Sequence, residues 1–433
     1  MRGIERDGAP EGLFDHGPQR RVSPARRLRE RRLRRRRRAV GALLILAVGG
    51  AAAWFAFSGG NPPPGGSEPA PERAATSGRL GPAVLAALDR TAVAWMPGGF
   101  PVGFGPSITD VEGVAHATSV MSGVAWLTEA LDGGGMAVRA PPGGTAYPIE
   151  VAAADPTAFV RFLPPSRREL ADDLADGEGI LGRTAARIRA VGPGGRLGFG
   201  GVTVGVAAVL PDELLSGHEL LVSREMGTAL GLTLDRFALV RPAEGADLAG
   251  IRDGIAAGLE PGTYVEVRGW SPQVPYLRHG DGMSSMAELK EAFGEFAADP
   301  EGGELEPDDR WNAANLVTRD VPLLGSITCH RRLMPQLVGA LEELAATGDG
   351  SEAVGSGYEG CYVPRFINRD PTRALSYHSW GAAIDINAER NPFGAPPDQD
   401  PRLVEVMERW GFSWGGRWEV PDGMHFEWAW FPS

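Results

Sequence analysis

Two short stretches near the end of the chain decide how this sequence is interpreted: S-Y-H-S-W-G-A-A-I-D at 376–385 and D-G-M-H-F-E at 422–427. In the first, His378 and Asp385 are seven residues apart, which is about 23 Å in an extended strand and too far to share one ion. Gly381 between them permits a sharp turn that brings the two side chains closer. Asp385 lies between two isoleucines, where a carboxylate is costly unless it is paired or binds a metal.

The second stretch supplies His425 and, three residues earlier, Asp422. Two neutral imidazoles and one carboxylate suit catalytic zinc, because they leave one coordination position open for water. Zinc lowers the pKa of that water to about 7, so a carboxylate that does not bind the metal is needed to accept its proton. This chemistry makes His378, Asp385 and His425 the predicted zinc ligands and Asp422 the predicted general base.

The same residues resemble the metallopeptidase family of D-alanyl-D-alanine carboxypeptidases, which includes the VanX and VanY types and the endolysin-type L-alanyl-D-glutamate peptidases. The family pattern is S-x-H-x-x-G-x-A-x-D, followed later by D/E-x-x-H. The residues that match it are Ser376, His378, Gly381, Ala383, Asp385, Asp422 and His425. The stretch W-G-G-R-W at 414–418, followed by D-G-M-H-F-E, is closest to the endolysin-type branch, which uses Asp as the base. The resemblance covers roughly residues 284–433.

The resemblance implies zinc bound by the two histidines and Asp385, with Asp422 acting as general base and then as general acid. It also implies an arginine, upstream of the first histidine, that binds the substrate carboxylate or the tetrahedral oxyanion. Arg365 is our candidate, and Arg369 and Arg373 are the alternatives. Three further residues are predicted to contact substrate, although tryptophans are more often core residues: Ser376, Trp380 and Trp418.

The predicted fold class is α+β. The resemblance implies that residues 284–433 form a zinc peptidase domain, with a small antiparallel sheet and flanking helices like those of the D,D-peptidases and the Hedgehog signalling domain. Apolar spacing predicts helices over 284–298, 330–346 and 401–410. A short apolar run predicts a strand over 383–386.

Residues 80–280 are predicted to form a separate α+β module of unknown role, and whether it binds a protein partner is left open. A β-branched run predicts a strand over 202–210, and helical spacing predicts helices over 82–95 and 247–259. Residues 201–232 are similar to periplasmic domains of bacterial ABC-type membrane proteins. That likeness carries no catalytic motif.

The N-terminal residues predict a membrane anchor. Five consecutive arginines at 34–38 precede nineteen uncharged, mostly apolar residues at 39–57, which as a helix span about 28 Å, enough to cross a hydrocarbon core. Arginines on the N-terminal side place the 1–38 tail in the cytoplasm and everything after Ser58 outside. Residues 58–79 are predicted to be a Pro/Gly/Ser-rich linker. The alternative is a cleaved signal peptide, because the alanines at 51–53 are small, but the apolar run is longer than usual for one.

Composition narrows the function further. Residues 1–38 hold fourteen arginines and five acidic residues, while the whole chain of 433 residues has a net charge of −12. The remainder is therefore strongly acidic, which excludes a general nucleic-acid binder. The two cysteines, Cys329 and Cys361, are too few for a zinc ribbon or a Cys-ligated cluster. Outside the cytoplasm they predict one disulfide, and the alternative is two buried thiols.

Together these features predict a membrane-anchored zinc peptidase that hydrolyses peptidoglycan stem peptides outside the cytoplasmic membrane. The sequence leaves open whether it is a D,D-carboxypeptidase or an L-Ala-D-Glu-type endopeptidase. The alternative is a non-catalytic zinc-containing binding module or a scaffold at the cell envelope, a use of such a zinc site that the Hedgehog signalling domain illustrates. The intact Asp422 argues against this alternative, because a site that has lost catalysis need not keep a base.

Overall fold

The computed structural model describes residues 80–278, 284–302, 304–355 and 357–432. The predicted cytoplasmic tail, the transmembrane helix at 39–57 and the linker lie outside the described residues. Within the described ranges, no helix is long and apolar enough to cross a membrane. The predicted anchor is therefore not tested by the structure.

An eleven-stranded sheet is the framework of residues 80–278. Its strands, numbered in chain order, are β1 (Ala92–Trp95), β2 (Val114–Leu127), β3 (Glu129–Leu131), β4 (Ala137–Arg139), β5 (Tyr147–Ala154), β6 (Gly179–Gly182), β7 (Arg196–Phe199), β8 (Val202–Leu210), β9 (Leu220–Ser223), β10 (Asp235–Pro242) and β11 (Glu266–Gly269). They lie in the order β11-β1-β10-β2-β5-β9-β6-β8-β7-β3-β4. Neighbours within this sheet are antiparallel apart from the parallel pairs β5–β9 and β6–β8.

Cores form on both faces of this sheet. The helices of the region are α1 (Pro82–Leu88), α2 (Pro156–Phe159), α3 (Leu170–Ala175), α4 (Arg183–Arg189), α5 (Arg224–Ala229) and α6 (Leu248–Ala257), with 3-10 turns at Gly105–Asp110, Val160–Phe162, Pro165–Arg167 and Asp212–Leu215. Strand β5 is buried along its whole length. Its Ala152 packs in one core cluster and its Val151 in another, as expected when successive side chains point to opposite faces of a strand.

The start of this region corrects one prediction. Residues 82–95 have helical spacing, but α1 ends at Leu88 and β1 begins at Ala92. Strand β1 is entirely buried and pairs with β10 on one side and β11 on the other, so the packing of a central strand outweighs the local pattern. The strand predicted over 202–210 is confirmed as β8, and the helix predicted over 247–259 is confirmed as the shorter α6.

Residues 284–432 also mix helices and strands. The helices are α7 (Met286–Phe293), α8 (Asp309–Asn315), α9 (Met334–Ala346), α10 (Gly350–Ala353) and α11 (Pro401–Arg409), with 3-10 turns at Ile367–Arg369, Tyr377–Trp380 and Gly415–Arg417. The strands are β12 (Leu316–Val321), β13 (Gly325–His330), β14 (Tyr358–Gly360), β15 (Ala383–Ile386), β16 (Phe412–Trp414) and β17 (His425–Trp428). Strands β12 and β13 form a hairpin, and the other four form an antiparallel sheet in the order β14-β15-β17-β16.

The predicted elements of this region are present, with shorter helices. Strand β15 has the predicted bounds, and α7, α9 and α11 lie within the predicted helical ranges. Helix α7 begins at Met286 because Ser285 and Glu288 form a capping box before it. It ends before Gly294, whose φ of +84° is readily adopted only by glycine. Local capping chemistry therefore sets the limits of α7.

A buried cluster of charges joins the two regions, whose described residues belong to one compact unit. Lys290 of α7, the only lysine in the chain, places Nζ 2.7 Å from Glu219 Oε1 and donates to Pro148 O. Arg189 at the end of α4 donates to the other Glu219 oxygen at 2.6 Å and to Glu295. The side chains of Lys290, Glu219, Arg189 and Glu295 are fully buried. Each charge depends on its partners, because an unpaired buried ion is strongly unfavourable.

Replacing Lys290 is expected to destabilise the whole protein. The variant Lys290→Met leaves Glu219 and Glu295 buried with one cation fewer, and should lower the free energy of unfolding by about 3–5 kcal/mol. Urea denaturation followed by circular dichroism measures this change. The control is Arg187→Ala, which removes an exposed ion pair with Glu291 between the same two helices. Arg187→Ala should lower the free energy of unfolding by no more than about 1 kcal/mol. An equally small decrease for Lys290→Met would contradict the expected role of the cluster.

Candidate active site

Three structural elements bring the predicted zinc ligands together. His378 lies in the 3-10 turn Tyr377–Trp380, Asp385 lies on β15, and His425 begins β17. Asp385 and His425 are directly opposite each other in the antiparallel register of the two strands. Directly opposed residues project from the same face of a sheet, so the register itself places the carboxylate beside the imidazole.

Gly381 makes the sharp turn that returns the chain from His378 to β15. Its φ is +64°, and a Cβ atom at this position would lie 2.7 Å from His330 N, so glycine is required. The carbonyl of Gly381 accepts a hydrogen bond from the His330 N–H at 3.0 Å, and its N–H donates to His378 O at 3.0 Å. The turn predicted from the sequence is confirmed.

The three ligand atoms converge on one small volume. His378 Nε2 lies 3.2 Å from Asp385 Oδ1 and 3.2 Å from His425 Nδ1, and Asp385 Oδ1 and His425 Nδ1 are 3.0 Å apart. His378 is 0%, His425 6% and Asp385 9% exposed. Nitrogen and oxygen ligands at about 2.0–2.2 Å from a tetrahedral zinc ion have comparable mutual separations. These residues therefore form a group that could hold a metal ion.

Hydrogen bonds on the far side of each imidazole fix the direction of its ligand nitrogen. His378 Nδ1 lies 3.0 Å from the carbonyl oxygen of Cys361, which can only accept, so Nδ1 donates. His425 Nε2 lies 3.3 Å from Glu427 Oε2. Metal-binding histidines are typically held in this way by a carbonyl or a carboxylate. In their neutral forms both rings direct a lone pair towards the Asp385 carboxylate, and this donor set fits zinc.

The pKa values of these groups shift in different directions. Burial lowers the pKa of His378. Burial opposes the charge of Asp385, but the two imidazoles hold the pKa of its carboxyl well below its usual range. Burial also opposes the charge of His425, but its hydrogen bonds with Asp385 and Glu427 raise its pKa to about 10. Without a metal, His425 therefore carries a proton on Nδ1, in the position that a metal would take.

The predicted disulfide is present and lies directly beside this site. Cys329 on β13 is bonded to Cys361, with 5.4 Å between the Cα atoms and 32 residues between them in sequence. Cys361 is also the residue whose carbonyl accepts the His378 hydrogen bond. The disulfide therefore fixes the hydrogen-bond acceptor of one candidate ligand to the β12–β13 hairpin.

Asp422 lies on the loop that leads into β17. Its N–H donates to Gly415 O at 2.9 Å, and its carbonyl accepts from the His425 N–H at 3.1 Å. Its Oδ1 is buried and has no hydrogen-bond partner among the described residues. Burial is the main reason that the pKa of this carboxyl is raised to about 6. A carboxylate of this kind is a better proton acceptor than an exposed one and is still ionised at neutral pH.

Arg365 is the one of the three candidate arginines that lies beside the ligands. Its guanidinium is 3.8 Å from Asp385 Oδ2 and its side chain is 26% exposed. Arg369 is exposed on the surface. Arg373 pairs instead with Asp370, with 3.6 Å between Nε and Oδ2. A partly exposed cation next to the ligand set is suitably placed to meet a negatively charged group of a substrate.

Two of the predicted substrate-contacting residues lie near these groups. The ring of Trp418 is partly exposed, and its centroid is 5.3 Å from that of His425. Ser376 is buried, and its N–H donates to Arg365 O at 2.9 Å. Trp418 is thus placed on the approach to the site, whereas Ser376 supports the backbone of Arg365.

Trp380 is placed differently from the prediction. The residue is fully buried, donates its indole N–H to Gly294 O at 3.1 Å, and packs against Phe296. A side chain with no exposed surface cannot form the wall of a cleft, so the structure corrects this expectation. Trp380 instead connects two segments: the turn that contains His378, and Gly294 directly after α7.

Glu427 is a site residue to which the sequence analysis assigned no role. It is buried and lies 3.3 Å from His425 Nε2. Its position two residues after His425 was the available signal, because residues i and i+2 of a strand share one face. Glu427 orients a candidate ligand and is not itself part of the converging group.

Comparison with known proteins gives one family match. Residues 369–428 match the D-alanyl-D-alanine carboxypeptidase family. The matched segment contains His378, Asp385, Asp422 and His425, so the predicted likeness of this segment is confirmed at the level of the family. No curated protein matches the sequence.

Three solved structures align with parts of the chain. The periplasmic region of MacB from Actinobacillus actinomycetemcomitans covers 43% of this chain and 91% of its own, with 10% identity and a TM-score of 0.30. The alignment with the extracellular domain of the noncanonic ABC-type transporter YknZ from Gram-positive bacteria covers 41% of this chain and 99% of that domain, with 18% identity and a TM-score of 0.29. The alignment with a domain of a putative permease protein from Porphyromonas gingivalis covers 42% of this chain and 89% of that domain, with 14% identity and a TM-score of 0.27.

Zinc binding to the metal-free protein is expected to release about one proton per ion at pH 7, because the proton on His425 must leave first. The pKa of His425 is about 10, so raising the pH towards that value removes the competing proton. The apparent affinity should therefore increase about tenfold per pH unit between pH 6 and 8. Calorimetric titration in buffers of different ionisation enthalpy counts the protons.

The matched variant is Glu427→Gln, which replaces the carboxylate that accepts from His425 Nε2 with a neutral amide and so weakens one of the two hydrogen bonds that raise the His425 pKa. It should release fewer protons at pH 8 than the unchanged protein. Zinc binding at this pH with no proton release by the unchanged protein would contradict the described electrostatics.

Proposed function

We propose that this chain is a zinc-dependent peptidase that hydrolyses peptidoglycan stem peptides, as a D,D-carboxypeptidase or an L-Ala-D-Glu-type endopeptidase. In this proposal residues 39–57 anchor it in the cytoplasmic membrane, with the N-terminus inside and the site outside. The observation that carries the proposal is the convergence of His378 Nε2, Asp385 Oδ1 and His425 Nδ1 within 3.2 Å of one another. The family match at residues 369–428 supports the class of reaction.

His378, Asp385 and His425 would hold the zinc ion. When bound, zinc supplies a Lewis acid that polarises a carbonyl group and makes a water molecule acidic enough to attack near neutral pH. The protein contributes the geometry. Cys361 O and Glu427 orient the imidazoles, and the low exposure of the ligands keeps other water molecules away from the reacting groups.

Asp422 is the proposed proton carrier. It accepts a proton from the attacking water as the oxygen bonds to the carbonyl carbon, and returns a proton to the nitrogen as the peptide bond breaks. The products are a carboxylic acid and an amine, so atoms and protons balance. Its unpaired, buried Oδ1 and a pKa raised to about 6 support this role, because a base with a pKa close to the working pH both accepts and returns a proton readily.

Arg365 is proposed to steady negative charge, either the substrate's carboxylate or the oxyanion that forms during attack. A guanidinium is always charged and offers several donors in one plane, and a preorganised cation beside developing charge stabilises a transition state. Its position 3.8 Å from Asp385 supports this role. Trp418, beside His425, is proposed to contact the substrate.

The proposed activity is tested with purified protein and a set of peptidoglycan stem peptides, with products identified by mass spectrometry. The unchanged protein should bind about one zinc ion per chain and cleave one type of bond, which also identifies the bond. His378→Ala should lose both zinc and cleavage. Asp422→Asn should keep zinc and lower kcat by about 10²–10⁴-fold.

The matched control is His116→Ala. His116 lies on β2 of the large sheet, where its Nε2 is 2.8 Å from Ala158 O, and it is not one of the candidate ligands. It should keep zinc content and activity. Zinc binding without cleavage of any stem peptide by the unchanged protein would refute the proposed enzyme and favour a zinc-containing binding module.

A further inference from the structure

Arg365 lies at the base of a small hairpin-like loop. Phe366 and Leu375 form an antiparallel bridge. The Ser376 N–H donates to Arg365 O at 2.9 Å, and the Ile367 N–H donates to Ala374 O at 2.9 Å. We name residues 365–376 the Arg365 hairpin. Because these bonds hold its two arms together, we expect a displacement of the tip to be transmitted along the arms to Arg365.

The tip of the Arg365 hairpin rests on a side chain of the large sheet. Arg236 of β10 donates from one guanidinium nitrogen to Thr372 O at 2.9 Å and to Thr372 Oγ1 at 2.5 Å. Its other terminal nitrogen donates to Gly98 O at 3.3 Å, within its own region. Asp370 Oδ1 accepts from the Thr372 N–H and hydroxyl at 2.9 and 2.7 Å. Arg236 is 3% exposed, so this contact is an enclosed one.

The hairpin depends on this support for two reasons. First, Arg369 has a φ of 57°, next to Asn368 at 55°, and a left-handed residue other than glycine, asparagine or aspartate costs about 1 kcal/mol or more. Second, a cavity of about 70 Å³ lies between the tip and the sheet, with Gly123, Leu232 and Thr372 among its lining residues. Apolar packing directly beneath the tip is therefore incomplete, and Arg236 supplies hydrogen bonds that join the tip to the sheet.

The second loop that carries a proposed catalytic group also touches this sheet. Val420, two residues before Asp422, packs against the core cluster that includes Phe237 and Leu239 of β10. The two functional groups that are not metal ligands, Arg365 and Asp422, are thus both on segments that rest on residues 80–278. The metal ligands themselves lie on the sheet and turn of the C-terminal region.

We propose that Arg236 is a positioning residue for Arg365: the large sheet, through Arg236 and the tip of the Arg365 hairpin, holds the guanidinium at the candidate metal site. This gives residues 80–278 a role in the site of another region. The inference rests on the proposed function for its effect on catalysis, but the contact itself is independent of any reaction.

The test uses the full-length protein and compares Arg236→Ala with Arg236→Lys, which keeps a cation able to donate to Thr372. The control is Arg241→Ala, on the same strand, where the guanidinium lies over the ring of Phe162. Amide hydrogen exchange of residues 366–375, zinc content and stem-peptide cleavage are measured for each. A double variant, Arg236→Ala with Arg365→Ala, completes a mutant cycle.

Arg236→Ala should increase amide exchange in the hairpin while zinc content stays equal to that of the unchanged protein. It should lower kcat/KM about tenfold, with little further loss when Arg365 is already alanine, because the effect passes through Arg365. Arg236→Lys should recover part of both losses. Arg241→Ala should change neither exchange in the hairpin nor kcat/KM.

Unchanged exchange in Arg236→Ala would overturn the proposal, and so would a loss of kcat/KM that simply adds to that of Arg365→Ala. If the unchanged protein cleaves no stem peptide, the proposed function fails. The exchange measurement then decides by itself whether Arg236 holds the hairpin.

Discussion

The site depends on keeping two imidazole nitrogens and one carboxylate oxygen within 3.2 Å of each other in a buried place. Such a group is stable only if a cation lies among the lone pairs. In the metal-free protein that cation is the proton of His425, whose pKa is about 10. The same geometry could hold a metal ion once that proton leaves.

The surrounding structure meets this constraint from several sides. The register of β15 and β17 sets Asp385 opposite His425, and Gly381 turns the chain so that His378 reaches them. The disulfide between Cys329 and Cys361 fixes the carbonyl that orients His378. The strand register acts on Asp385 and His425, and the turn and the disulfide act on His378. Together they leave the three side chains little freedom to separate.

The convergence of the three candidate ligands could be predicted from the sequence because their spacing, the glycine turn and the carboxylate between two isoleucines are local features. The disulfide followed from there being two cysteines. The burial of Trp380 and the strand at Ala92–Trp95 were not predicted, because both result from packing against segments far along the chain. The contact of Arg236 with Thr372 joins residues 136 positions apart, and nothing in either local sequence indicates the other.

Anomalous diffraction at the zinc edge, from crystals of the zinc-soaked protein, would locate the ion and the atoms that bind it. We expect a zinc peak about 2.0–2.2 Å from each of His378 Nε2, Asp385 Oδ1 and His425 Nδ1. Asp422 should lie near the ion without binding it. Zinc bound at other residues, or no peak among these three atoms, would contradict the account.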